Sequence, residues 1–171
     1  MKIYTLKRKQ SIARLRWEMF EFFEKPDNLE KITPNSVGFE ILTPKPIKMK
    51  TGTVLDYTIR LFGLPVRWTT LITDYDPPQG FSDVALRGPY RFWHHTHTFE
   101  ENTDGTIMTD EVRYALPLGF IGRIIHALWV KRQLDKIFNY RARVISDMLE
   151  SGADRNKLSK NSDNRPGSFD K

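Results

Sequence analysis

Cysteine is absent from this chain, which removes thiolate catalysis, zinc–cysteine sites and disulfides together. Any metal site would have to be built from histidine and carboxylates. Long apolar runs are absent too: no window reaches the roughly 18 to 20 apolar residues of a spanning helix. The basic start, Met1 to Gln10, lacks the following apolar run of a signal peptide, so a soluble, cytoplasmic protein is the expectation. No nucleotide-binding glycine loop, serine nucleophile elbow or His-Glu-x-x-His helix is present. Gly88-Pro89 reads as a turn rather than a phosphate loop, and no internal repeat is visible.

What is present fits one domain of 171 residues, long enough to bury a core and still enclose a cavity. Aromatic residues make up 12%, somewhat generous, and that extra ring area suits a pocket. The net charge is +6, with basic residues gathered in Lys7-Arg8-Lys9, Arg14 and Arg16, and along the C-terminal helix in Arg123, Lys131, Arg132, Lys136, Arg141 and Arg143. These residues are either solvated strand and helix faces or the footprint of an anionic partner such as RNA or a lipid surface. The aromatic interleaving of a single-strand platform is missing from them, which weighs toward solvated faces.

Period-two and period-3.6 patterns divide the chain clearly. The first ten or so residues predict a strand with Tyr4 and Leu6 on one side and Lys7 and Lys9 on the other. Leu15, Met19, Phe22 and Phe23 then recur at helical spacing until Pro26, and Asp27 to Ile32 predicts a second short helix, stopped by Thr33-Pro34. Strands follow at 37–42, 53–61, 66–75, 81–87, 90–99 and 106–114, separated by turn residues, as in an antiparallel meander. A long helix is predicted from about Ile121 to Leu149, with Ile121, Ile124, Ile125, Leu128, Leu134, Ile137, Phe138 and Ile145 in its apolar set. It must cover the sheet, since nothing else in the chain can. Residues 1–150 form the expected domain, and 151–171 read as a disordered polar tail.

The segment Gly88 to Phe99 carries the most information. Period two puts Trp93, His95, His97 and Phe99 on one face, two imidazoles between large apolar rings. A hairpin turning through Asn102 to Gly105 sets Phe99 opposite Met108, His97 opposite Asp110, His95 opposite Val112 and Trp93 opposite Tyr114. A one-residue slip would separate them. Such a row is either a core that satisfies its own imidazoles, with Asp110 as acceptor for His97, or the lining of a pocket. A His97-Asp110 pair could also act as a general base, and His95 and His97 with Asp110 or Asp83 form a two-histidine, one-carboxylate set able to hold a metal. His94 has the opposite parity and belongs at the surface; His126 has no companion on its helix. Asp83 shares a face with Arg87 and reaches the histidines if its strand neighbours theirs.

Strand, two short helices, six strands and a long helix resemble the helix-grip fold of the START and birch-pollen-allergen (SRPBCC) superfamily. Phe22-Phe23, Ile32-Thr33-Pro34, Gly52-Thr53, Trp68, Phe81-Ser82-Asp83, Gly88-Pro89-Tyr90, Trp93, His95, His97, Asp110, Tyr114 and Phe138 with Arg141 look like the bacterial ligand-binding members. The resemblance covers about residues 1–148. It implies an α+β fold in which a curved, seven-stranded antiparallel sheet wraps a long C-terminal helix, with a cavity for a small hydrophobic molecule. Members carry lipids, sterols, quinones or plant metabolites, and some are polyketide cyclases or hydrolases.

The leading expectation is therefore a carrier or sensor without a cofactor. Its expected ligand contacts are Tyr57, Trp68, Asp83, Trp93 and His95, together with His97, Phe99, Asp110, Tyr114 and Leu128. Leu55, Ile59, Ile72, Ile125 and Phe138 complete the expected walls. The alternatives are a cyclase, dehydratase or hydrolase using His97-Asp110, and a module that docks on RNA or membrane through its basic faces.

Overall fold

A computed structural model describes residues 1–162 of the chain, with side-chain surroundings through residue 148. The sequence elements appear in the expected order. Strand β1 (Tyr4–Ile12) leads into helices α1 (Arg16–Phe23) and α2 (Pro26–Lys31) and a 3-10 turn over Asn35–Val37. The strands β2 (Glu40–Ile41), β3 (Val54–Leu61), β4 (Leu64–Asp76), β5 (Gly80–Arg87), β6 (Phe92–Asn102) and β7 (Gly105–Ala115) follow. Helix α3 (Gly119–Ile125) passes through a π turn (His126–Val130) into α4 (Lys131–Ser162).

All seven strands form one antiparallel sheet, ordered β1-β7-β6-β5-β4-β3-β2. The first strand lies beside the last because Leu6 and Ile12, pointing inward from β1, need the core that β7 shares with the long helix. Two register shifts between β4 and β5 bend the sheet, and the curved sheet grips α4 in an α+β helix-grip fold. Gln10 ties β1 to α4 by donating to the Ala142 carbonyl at 2.8 Å, and Arg8 pairs with Asp135.

Burial divides into two apolar clusters. Ile12, Met19, Phe20, Phe23, Phe81, Phe99 and Ile145 pack where α1 plugs one end of the sheet, and Leu6, Val112, Tyr114, Val130, Leu134 and Phe138 pack at the other. Between the sheet, α2 and α4 the side chains leave a cavity of about 1070 Å³.

Two boundaries and one helical phase differ from the sequence expectation. β2 keeps two residues instead of six, because Leu42 and Thr43 both donate to the single carbonyl of Asp56, which breaks the ladder. Helix α4 runs to Ser162, past Leu149, into the segment read as a tail. Polarity argues against packing there but not against helix, and the first proline beyond α4 is Pro166. The rest of that expected tail, 163–171, lies outside the described residues. The third difference is one of phase. Ile121, Ile124, Ile125 and Leu128 are exposed rather than turned to the sheet. At about 100° per residue, Leu128 lies roughly 120° around the helix from Leu134, so the two belong to different stripes.

Gly80 opens β5 against β6 with no room to spare: an added Cβ would lie 2.1 Å from the carbonyl oxygen of His97. Gly80→Ala is expected to destabilise the domain by about 3 kcal/mol, the upper end of overpacking penalties, read as a lowered urea midpoint. An unchanged midpoint would show that β5 can move away from His97 freely.

Candidate functional site

The cavity wall is built by cross-strand neighbours. β6 and β7 pair with Trp93 opposite Tyr114, His95 opposite Val112, His97 opposite Asp110 and Phe99 opposite Met108, the register that hairpin length and parity predict. β5 sets Asp83 directly opposite His95, and β3 and β4 set Tyr57 opposite Trp68. Tyr57, Trp68, Asp83, Trp93, His95 and His97 all line the cavity, as do Leu55, Ile59, Ile72 and Phe138.

Four expected contacts lie elsewhere. Phe99 is buried in the core, 5.5 Å from the Phe23 ring and 6.0 Å from the Phe20 ring, because α1 covers that end of the row. Asp110 stands behind the two histidines on β7, outside the lining. The Tyr114 hydroxyl is engaged with His126 Nε2 at 2.9 Å, and His126 stacks on Tyr4, so this lone helix histidine is a satisfied core residue. Leu128 is 65% exposed and Ile125 is exposed beside it, for the helical phase given above. His94 faces away from the cavity row and is half-buried.

Arg141 is the contributor that charge alone conceals. It reads as part of a basic helix face, yet it is 7% exposed and lines the cavity. Its position carries the signal: Leu134, Phe138, Arg141 and Ile145 are spaced four, three and four apart, one inward stripe. The guanidinium lies 4.8 Å over the Phe138 ring, and neither Nε nor Nη1 has a hydrogen-bond partner. Nε1 of Trp68 is likewise buried and unpartnered.

One oxygen serves both histidines. Asp110 Oδ1 is 3.2 Å from His95 Nε2 and 2.6 Å from His97 Nδ1. Burial alone would raise Asp110, but the charge of His97 and the two imidazole contacts hold it well below the usual carboxylate range. Burial pushes His95 down to about 3, with the charge of His97 acting in the same direction and the Asp110 contact opposing it, so His95 is neutral. Asp83, 3.7 Å from His95 Nδ1, is pushed up to about 7 by burial, which His97 and Arg141 only partly offset. The wall therefore offers a fixed carboxylate behind oriented imidazoles, a carboxyl that changes charge near neutrality, and a buried cation with free donors.

One donor atom each from Asp83, His95 and His97 falls within 4.8 Å of the others. A tetrahedral cage with bonds of about 2.0 to 2.1 Å sets its ligands roughly 3.4 Å apart, and the Asp83 oxygen stands 3.7 Å from His95 Nδ1. The Arg141 guanidinium, close enough to influence Asp83 and Asp110, also competes for the place of a cation.

No protein-family model matches the chain, and no curated protein does. Solved structures do match. Protein Ms6760 from Mycobacterium smegmatis superposes with a TM-score of 0.64 at 17% identity, covering 86% of this chain and 92% of that one. TTHA0849 from Thermus thermophilus gives 0.67 at 13% identity, covering 88% and 99%. A point mutant of a Thalictrum norcoclaurine synthase, in complex with a transition-state analogue, gives 0.64 at 14% identity, covering 89% and 97%. At these identities the likeness is one of fold: a curved seven-stranded antiparallel sheet gripping a long C-terminal helix, with two short helices after the first strand.

The raised Asp83 gives a pH signature. A carboxyl whose folded pKa lies above its unfolded value of about 3.9 binds more protons in the native state, so wild-type stability falls as pH rises from about 4 to about 7. Asp83→Asn removes that loss. Its stability relative to wild type is expected to rise across this window and level off above it, in urea melts of chelator-treated protein. A difference independent of pH would mean that the Asp83 carboxyl is not held out of water.

Proposed function

We infer that the protein is a carrier or sensor that holds a small, amphipathic hydrophobic molecule between its sheet and α4. The observation that carries this is the cavity of about 1070 Å³, with walls of Leu55, Ile59, Ile72, Trp93 and Phe138 and a buried, unpartnered guanidinium in the same lining. Its volume is at the large end of small-molecule sites. Arginine remains protonated, and its planar fork matches a carboxylate. No carboxylate among the described residues lies within 4.0 Å of it to fill that role. The ligand accordingly lays its apolar body along the rings and turns an acceptor oxygen, best a carboxylate, to Arg141. The complexed norcoclaurine synthase supports the principle that this fold can enclose a small organic molecule.

A second reading rests on the 2.6 Å contact between His97 and Asp110. Because His97 also lines the cavity, its oriented imidazole, in the uncharged form, could act as the general base of a cyclase, dehydratase or hydrolase. The carrier needs no turnover, whereas this reading predicts that His97→Ala abolishes turnover while binding stays within a few-fold.

Trp68, Trp93 and Trp129 line the cavity, so quenching by brominated probes reports its occupancy. Bromododecanoate and bromododecanol are both expected to quench saturably, the carboxylate more tightly. Arg141→Gln is expected to weaken the carboxylate by about tenfold or more and the alcohol far less. If neither probe quenches, and native mass spectrometry of freshly purified protein finds no bound lipid-sized mass, the carrier reading fails.

A further inference from the structure

Two positions among the described residues hold a non-glycine side chain in the left-handed region, Phe62 at φ +53 and Leu118 at φ +67. For bulky residues this conformation is strained and persists where something compensates. Phe62 begins the Phe62-Gly63 turn between β3 and β4, where asparagine would be the comfortable residue. Yet both side chains stand in solvent, Phe62 at 73% and Leu118 at 67%. Two strained apolar tips with their side chains outward are a poor bargain for a protein that ends at its own surface.

Both flank the helical run from α3 to the π turn, Leu118 at its start and Phe62 beside Trp129. Phe62 stacks on Trp129 at 4.5 Å, which brings the hairpin tip to the π turn between α3 and α4. On that helix Ile121, Ile124, Ile125 and Leu128 follow the spacing i, i+3, i+4, i+7, an apolar stripe of its own, and all four are exposed. Phe120, 70% exposed, extends it, with the Arg123 guanidinium 6.0 Å from its ring. Apolar surface this concentrated marks an interaction site.

The charges choose the partner. From Val112 to Leu134 the chain carries Arg113, Arg123, Lys131 and Arg132 and no carboxylate. From Tyr57 to Thr73 it carries Arg60 and Arg67 and again none. Arg67 is held by Asp56 and Arg113 is on the outer face of β7, whereas Arg123, Lys131 and Arg132 are exposed on the same helical run as the apolar stripe. An apolar face bordered by cations is the signature of a helix that lies in a membrane interface, where side chains enter the headgroup and acyl boundary and the cations meet acidic phosphates.

We propose that the α3–π-turn stripe and the Phe62 hairpin tip form an interfacial docking face for an anionic phospholipid surface. The face borders the cavity, since Phe62, Gly63 and Trp129 also line it. Docking therefore places the rim of the cavity at the lipid. No helix among the described residues is long and apolar enough to cross a membrane, and the docking proposed is contact with the surface. The docking stands whether or not the cavity holds a carboxylate.

Flotation of the full chain with phosphatidylcholine vesicles, with and without phosphatidylglycerol, tests it. The expected result is flotation with the anionic vesicles, weakened by salt and much lower with phosphatidylcholine alone. The triple variant Phe120→Ser, Ile124→Ser, Leu128→Ser changes exposed side chains outside the cavity lining, so it should keep bromododecanoate quenching while losing vesicle partition by about tenfold or more. Phe62→Asn should raise Tm by relieving the turn and still lower partition. Three results overturn the proposal: no flotation, equal flotation on both vesicles, or flotation that the triple variant leaves unchanged. A concentration-dependent dimer dissolved by the same substitutions would overturn it too, assigning the face to a second copy of the chain.

Discussion

A single carboxylate oxygen fixes the polar wall of the cavity. Oδ1 of Asp110 meets a ring nitrogen of His97 directly across the β6–β7 pairing and a ring nitrogen of His95 beside it. This geometry exists in one register only, because a slip of one residue would send every side chain of β6 to the other face. The same contact orients the rings. With Nε2 taken by Asp110, His95 directs Nδ1 toward Asp83; with Nδ1 taken, His97 is left with Nε2. Burial of Asp110, which alone would favour its neutral form, is overcome by the two imidazoles, so the wall is charged from behind and ordered in front.

That order leaves a cation without a partner. Asp110 is spent on the histidines, and Asp83 lies nearer to His95 than to any guanidinium nitrogen within ion-pair reach. Arg141 is held in place by packing over Phe138 and by the inward phase of its helix rather than by an ion pair. A buried guanidinium is expensive unless hydrogen-bonded, and here two of its nitrogens are not. The domain tolerates this because two apolar clusters, one under α1 and one under Val130 and Leu134, stabilise the ends of the sheet, with Phe23, Phe81, Leu134 and Phe138 shared between cluster and cavity wall.

Period two makes the strands readable. The row from Trp93 to Phe99 and its partners on β7 follow from parity and hairpin length, because one face of each strand is committed to the interior. Which members of the row face a cavity and which face core depends on where α1 and α4 land, and no local pattern encodes that for Phe99 or Tyr114. Arg141 is obscured by its charge, since an arginine among Lys136 and Arg143 looks solvated although its phase with Leu134 and Ile145 places it inside. The long helix misleads for the opposite reason: two apolar stripes of different phase merge into one pattern. β2 is short because hydrogen bonds to Asp56, a tertiary choice, end its ladder early.

The π turn clarifies why that second stripe is outward by construction. In an uninterrupted α-helix the residues seven and eleven before Leu134, Ala127 and Arg123, would face the sheet. The π turn advances the backbone by one residue, so His126 and Gly122 are buried instead and Arg123 stays in solvent. His126 then finds Tyr4 and Tyr114, and an added Cβ on Gly122 would lie 2.1 Å from the Pro117 carbonyl oxygen, so these two residues suit the inward face closely. Ile121, Ile124, Ile125 and Leu128 lie about 80° or more from the Leu134 direction without the π turn, and they are exposed with it. Their exposure is thus a property of where they were placed along the chain, not a by-product of helix distortion. The strained Phe62 and Leu118 tips flank this same run, one at each end of it, and departures from local preference concentrate at working surfaces.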